Sequence, residues 1–292
     1  MEFIQLLQAS PVLAVAIAFV ISLLVGSFLN VVIHRIPLMM ENDWKAQLAE
    51  FTAAEKGLEP SPAETLGQPL SLMKPRSRCP HCAHQITAIE NIPVISWLML
   101  GGKCSSCKAA ISTRYPAIEL ATGLLGALAI WVFGANAAGA AAVVFTWVLI
   151  SLTFIDIDTQ LLPDDLTLPL LWLGLVVNIF GIFTPLTDAV IGAILGYLIL
   201  WSIYWLFKLI TGKEGMGYGD FKLLAALGAW FGWQKLPAII LLSSLVGAIV
   251  GIGLMIAAKR GKEVPIPFGP YLAGAGMLTL YFGPQLGRIF GL

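Results

Sequence analysis

The chain has 292 residues, of which 58% are hydrophobic and 12% charged, with a mean hydropathy of +0.85. Soluble domains are roughly half apolar and a quarter charged, so this composition excludes a water-soluble globular protein. Seventeen basic and seventeen acidic side chains cancel to a formal charge of zero, a sum that averages two environments and carries no message about partners.

About 30 Å of hydrocarbon takes roughly 20 residues of helix to cross. Apolar runs of that order lie near 11–33, 116–134, 137–155, 166–184, 188–210, 237–258 and 268–290, and a shorter one near 221–234 is cut off by "WQKLP". The expectation is an all-α polytopic membrane protein of about eight transmembrane helices. Ser10-Pro11 reads as an N-cap followed by proline at the first helical position. The first run lacks a basic leader and is too long for a signal segment, so it reads as a retained anchor.

Lysine and arginine collect in cytoplasmic loops. Nine lie between Arg35 and Arg114, three at Lys208, Lys213 and Lys222, and three at Lys259, Arg260 and Lys262, which leaves Lys235 and Arg288 for the other face. Fifteen against two predicts eight spans with both termini outside and residues 34–115 in the cytosol. The expected organisation is a first helix in 1–33, a cytosolic domain in 34–115 and a membrane core in 116–292. Within the loop, residues 41–64 carry six acids against two lysines and read as a solvated stretch with a weak attraction for basic peptide.

All four cysteines sit in "CPHC" and "CSSC", as Cys79, Cys82, Cys104 and Cys107, with 21 residues between the pairs. Two CxxC knuckles offer the tetrahedral sulfur cage that zinc accepts. A cytosolic loop is reducing and no βαβ pattern surrounds either pair, which disfavours disulfide and redox readings. Four protein ligands close the site, so zinc would order the loop and do no chemistry. His81 and His84 read as neighbours, and Gly101-Gly102 as a linker or a close-approach turn. No tandem repeat is evident.

Carboxylates at membrane depth are costly and therefore informative. Asp164 or Asp165 reads as an N-cap, Thr187-Asp188 likewise, and Glu119 complements the positive end of its helix. Asp156 resists this explanation, because it ends an apolar run where the helix dipole disfavours an anion. Asp220 follows "GMGYG", whose glycines suit positive-φ turns and close backbone approach. Two spans separate Asp156 from Asp220, so both return to one membrane face. Carboxylates sharing an apolar site hold one proton between them and are suited to activating water against a peptide carbonyl. An ion-coupled transporter would use the same pair, and a non-enzymatic assembly factor would need only the cysteine loop.

"GMGYGDFK" matches the GxGD signature of intramembrane aspartyl proteases. Together with "IDIDTQLLPD", "GSFLNVVIHR", the CxxC pairs, "RYPAIELATG" and "PIPFGPYL", the sequence resembles the bacterial type IV prepilin peptidases, in particular the bifunctional leader peptidase and N-methyltransferase group, over nearly its whole length. The resemblance implies that Asp156 and Asp220 are the catalytic pair, while Asp158 and Asp164 match other acidic positions of the same motif. It also implies an inner-membrane enzyme that cleaves type IV prepilins and type II secretion pseudopilins after a glycine where the precursor leaves the bilayer. The new amino terminus would then be methylated from S-adenosylmethionine, with "ENIPVISWLMLGGKC" as the expected region and no residue assigned. No nucleic-acid partner is expected.

The rest reads as scaffold. Gly192 with Gly196, and Gly247 with Gly251, suit close helix packing, and Trp201, Trp205, Trp230 and Trp233 suit interfacial anchoring.

Overall fold

The computed structural model of the chain describes residues 2–55, 70–258 and 267–290. The distal part of the acidic stretch, and Lys259, Arg260 and Lys262, lie outside the described residues. Ten α-helices follow in order: α1 (Glu2–Ala9), α2 (Pro11–Glu55), α3 (Ile95–Met99), α4 (Arg114–Phe133), α5 (Ala137–Thr159), α6 (Asp164–Ile179), α7 (Leu186–Thr211), α8 (Tyr218–Phe231), α9 (Leu236–Ala258) and α10 (Gly269–Phe290). The described residues hold no strand, only two isolated antiparallel bridges, Arg78 with Gln85 and Lys103 with Ala110. Among the described residues, five helices are long and apolar enough to cross a membrane alone, namely α2, α4, α5, α7 and the stretch Trp233–Leu254. The fold is therefore all-α and multi-pass, while eight independent spans is not established by length and composition. The helices α6 and α8 have only 16 and 14 residues.

Two compact units form, Met1–Phe19 with Leu124–Leu292, and Val20–Gly123. The first is a helical bundle built around α8. Every residue of α8 from Leu223 to Trp230 is buried, so about 12 Å of this helix faces protein on all sides. Its fit against α7 depends on glycine. A Cβ on Gly196 would lie 2.6 Å from the Leu224 carbonyl oxygen, and Gly192 and Gly228 meet backbone to backbone, as the small-residue spacing predicts. Gly247 of α9 instead admits the ring of Tyr271 on α10, 3.1 Å from its would-be Cβ.

Trp230 corrects an expectation. It is fully buried, its indole N–H donates to the Leu170 carbonyl at 2.8 Å, and its ring lies 4.6 Å from that of Phe145, centroid to centroid. Gly174 on α6 opens the slot, since a side chain there would run into the indole. Trp201, Trp205 and Trp233 keep partly exposed rings.

Asn178 closes the lower end of α8. Its amide donates to the carbonyls of Ala229 at 2.8 Å and Trp230 at 3.0 Å, which are orphans of the last helical turn, and its carbonyl accepts the N–H groups of Phe183 and Thr184 at 3.1 Å each. One buried side chain thus ends α8 and starts the turn into α7.

The proposed aspartate caps also resolve differently. The N-caps of α6 and α7 are Pro163 and Pro185, with no side-chain cap bond. Asp164 instead takes the Lys222 ammonium at 2.6 and 2.7 Å, and Asp188 accepts from the Trp233 indole and the Gln234 amide. Ser10 does precede Pro11 at the start of α2.

In the second unit α2 does not stop at residue 33. It continues through Pro37 to Glu55, and a 45-residue helix is about 68 Å long, more than twice the hydrocarbon thickness. The buried guanidinium of Arg35 ties the following segment to it, donating to the carbonyls of Ser71 at 2.7 Å and Pro75 at 2.6 Å. Glu119, the sixth residue of α4, lies past the first turn; its carboxylate accepts the N–H of Val94 at 2.8 Å. Val94 has φ 60°, an outlier for a β-branched residue, and this buried acceptor holds it.

Candidate functional site: a carboxylate pair and a four-sulfur centre

In the helical bundle, Asp156 falls in the last turn of α5 and Asp220 in the first turn of α8, and both are buried, at 5% and 7% exposure. Asp220 is the third residue of α8 after the N-cap Gly217, and its carboxylate reaches back to the Gly217 N–H, one half of a capping box. Asp156 is at the wrong end of its own helix for an anion, yet its Oδ2 accepts the N–H of Gly269 at 2.9 Å. Gly269 is the first residue of α10, so the carboxylate sits at another helix's positive end. The charge on Asp156 acts directly on Asp220.

Glycine makes room around this pair. A Cβ on Gly269 would lie 2.7 Å from Asp156 Oδ2 and 3.0 Å from Leu162, and one on Gly219 would lie 2.7 Å from the Leu162 Cβ. Leu162 thus packs against a glycine beside each aspartate. None of Gly215, Gly217 and Gly219 has positive φ, so the expectation of positive-φ turns does not hold; Gly215 and Gly219 are needed for space, Gly215 against the Phe207 ring. Asp158 and Asp165 are exposed, and Asp164 is engaged with Lys222. Gly269 went unread as a functional residue. Only the helix-start pattern Gly-Pro in "PFGPYL" could have flagged it.

The second unit brings Cys79, Cys82, Cys104 and Cys107 together, with all four sulfurs within 4.8 Å of one another and Cys79 to Cys107 at 3.7 Å. Zinc bonds of about 2.3 Å in a tetrahedron place sulfurs about 3.8 Å apart, whereas a disulfide needs about 2.05 Å. The two knuckles repeat one backbone pattern at an offset of 25 residues. In each, the first cysteine's N–H bonds the carbonyl five residues on, Cys79 to His84 and Cys104 to Ala109, and returns a bond from the fourth residue, Ala83 or Lys108. Ala83 and Lys108 share a left-handed backbone, at φ 58° and 61°. This repeat escaped sequence reasoning because its halves share backbone shape and little besides the cysteines.

Amides aimed at the sulfurs set the centre's electrostatics. The N–H groups of His81 and Cys82 lower the Cys79 thiol to about 7, and those of Cys107 and Ser106 lower Cys104. Although the Ala109 N–H works to lower it, Cys107 rises to about 11 because the neighbouring sulfurs crowd it. Four thiolates this close ionise together only around a cation, so the donor set fits a thiophilic divalent metal. His84 pairs with Glu90 at 3.2 Å, and His81 stays exposed; neither completes the sulfur set. Glu90 also accepts from Ser105 in the second knuckle and from the N–H and hydroxyl of Thr87 at 2.8 Å each. These bonds, Ser105's foremost, pull its carboxyl down to about 2. Gly101 and Gly102 form a close-approach turn, both with positive φ, and Gly102 lies under the Trp97 ring.

Fold and site define a multi-pass helical membrane protein with a buried carboxylate pair and a four-cysteine cluster. Residues 20–133 match the N-terminal domain of bacterial A24 peptidases, and residues 143–252 the type IV leader peptidase family. The chain is 57% identical to a prepilin leader peptidase/N-methyltransferase of Stutzerimonas stutzeri over 283 residues, 97% of this chain and 96% of that one. It is 55% identical to a namesake from Aeromonas salmonicida over 285 residues, 98% and 96% of the two chains, and 54% identical to one from Pseudomonas aeruginosa over 290 residues, 99% and 98%. No solved structure matches the chain significantly. The chain belongs to the prepilin leader peptidase/N-methyltransferase family.

Proposed function

We propose that this protein removes the leader from type IV prepilins with Asp156 and Asp220 as its catalytic pair and then N-methylates the exposed amino terminus. The observation that carries the peptidase half is the meeting of two buried carboxylates from separate helices, each held by a backbone N–H at a helix start. One member of the pair takes a proton from water as that water attacks the scissile carbonyl, while the other, protonated, donates to the carbonyl oxygen. The tetrahedral intermediate collapses when the first gives its proton to the leaving nitrogen and the second takes one back from a hydroxyl of the intermediate, which returns both carboxyls to their starting states. The pair titrates as a unit.

The finer reading continues from the sequence. Residues 34–115 lie in the cytosol of an inner-membrane protein, the pair works near the cytosolic face of the lipid bilayer, and type II secretion pseudopilins share the route. Zinc is held by Cys79, Cys82, Cys104 and Cys107, where it would supply cross-linking alone. Methyl transfer from S-adenosylmethionine rests on the family, with no side chain assigned to the donor.

The test is cleavage of a prepilin in membranes by Asp156→Asn and Asp220→Asn proteins, made separately. Each alone is expected to abolish cleavage at undiminished protein level. Processing that survives either change refutes the pair.

A further inference from the structure

The segment between the two cysteine knuckles carries an apolar face that neither the sulfur cluster nor the carboxylate pair uses. From Asn91 to Gly102 no residue is charged. Within this stretch α3 turns Trp97 inward, where its indole N–H donates to the Ile111 carbonyl at 3.1 Å and its ring lies on Gly102. Ile92, Ile95, Leu98 and Met99 stay exposed, Leu98 at 64% and Met99 at 80%. A cluster of large apolar side chains left open in this way marks a contact surface.

Two hydrogen bonds fix the depth of that face. Just before α3, the Ser27 hydroxyl donates to the Asn91 side-chain carbonyl at 3.4 Å, and the Val94 N–H donates to Glu119 at 2.8 Å. Ser27 stands six residues inside the apolar run that ends at residue 33, about 9 Å, and Glu119 stands five residues into α4, about 8 Å. Both helices are long and apolar enough to cross a membrane. Their neighbouring residues at this level, Phe28 on α2 and Leu120 on α4, are also exposed apolar side chains. The depth matches the boundary of headgroups and acyl chains, which the apolar faces of interfacial helices enter by about 5–10 Å.

We infer that α3 is an interfacial anchor, with Ile92, Ile95, Leu98 and Met99 seated in the lipid leaflet on the loop's side of the membrane. The occupant is lipid, because the face is bonded at the level of membrane-crossing segments of α2 and α4 and continues their apolar surface. The anchor also sets the height of the sulfur cluster. The Gly102 N–H bonds the Trp97 carbonyl at 2.8 Å, and Cys104 follows two residues later, so the second knuckle is tied to whatever depth α3 takes. This inference is independent of the catalytic roles proposed above.

The test uses the full-length protein in vesicles of phosphatidylethanolamine and phosphatidylglycerol. A photoreactive phenylalanine analogue at Leu98 or at Met99 is expected to form lipid adducts with at least tenfold the yield of one at Gln47, which is exposed on α2 about 30 Å beyond Ser27. Adding a prepilin should leave those yields unchanged. Yields no higher than at Gln47, or lipid adducts that give way to adducts with the prepilin, overturn the inference. An environment-sensitive fluorescent residue at Met99 reads the depth. Lipids carrying a nitroxide on carbon 5 of the acyl chain should quench it at least twofold more strongly than lipids carrying it on carbon 12. Equal quenching by both, or quenching by neither, overturns the interfacial placement. If the Leu98 protein fails to accumulate, the more exposed Met99 decides.

Discussion

The Asp156 carboxylate is bonded to the backbone of Gly269, 113 residues further along the chain, at 2.9 Å. A side chain that ends α5 thereby serves as the anion at the start of α10. This contact answers why an acid stands where its own helix dipole disfavours it: the compensating dipole belongs to a different helix.

Gly269→Ala tests that relationship. The added methyl would lie 2.7 Å from Asp156 Oδ2, too close for the bond to keep its geometry. Cleavage should fall at least about a hundredfold, since small misplacements of catalytic groups carry losses of that order, while the protein still accumulates. Steady-state kcat on a prepilin, with protein level by immunoblot, measures it.

Asn178→Leu removes four hydrogen bonds at once. Buried groups left unpaired lose about 1–3 kcal/mol each, so a loss of at least about 3 kcal/mol is expected. Thermal unfolding in detergent should show a clearly lowered Tm, and activity lost on warming should precede that of the unmodified protein.

Metal content separates the two units. One zinc per chain is expected by elemental analysis, and Cys79→Ser or Cys104→Ser should abolish it. Protease digestion should then cut between residues 76 and 112, because among the described residues no disulfide joins the knuckles and the bonds to Glu90 are left to hold them. Zinc-free protein with an intact, resistant loop would contradict this.

Glu90→Gln should loosen the same loop by weakening its bonds to Ser105 and Thr87. The carboxyl is held near 2, below its ordinary 4.5, so its stabilisation is complete above pH 4.5 and lost only as pH falls toward 2. The difference between the two proteins in protease resistance should therefore be the same at pH 8 and pH 9.

The Lys222 and Asp164 pair is partly open to solvent, with side chains 28% and 52% exposed. Exposed pairs contribute about 0–1 kcal/mol. Lys222→Met should lower Tm only slightly, and less so at high salt, which the same unfolding experiment reads.

The cysteines and the paired aspartates were legible because their chemistry is rare against an apolar background and their spacing is regular. Small-residue spacing likewise foretold the meeting of α7 and α8 at Gly192 and Gly196. Contacts set by distant partners were not legible. Nothing near Trp230 announces that Gly174 will open a slot for it, and nothing near Asp156 points to Gly269. The continuation of α2 past residue 33 was hidden because charge changes there while helix propensity does not.

The dependence of Asp156 on Gly269 also has a consequence for biogenesis. The ribosome delivers both acids well before α10, and the family's peptidase region ends at residue 252, short of the amide that anchors one of them. A nascent chain therefore enters the bilayer with the amide that holds Asp156 still to come, and only docking of α10 completes that contact.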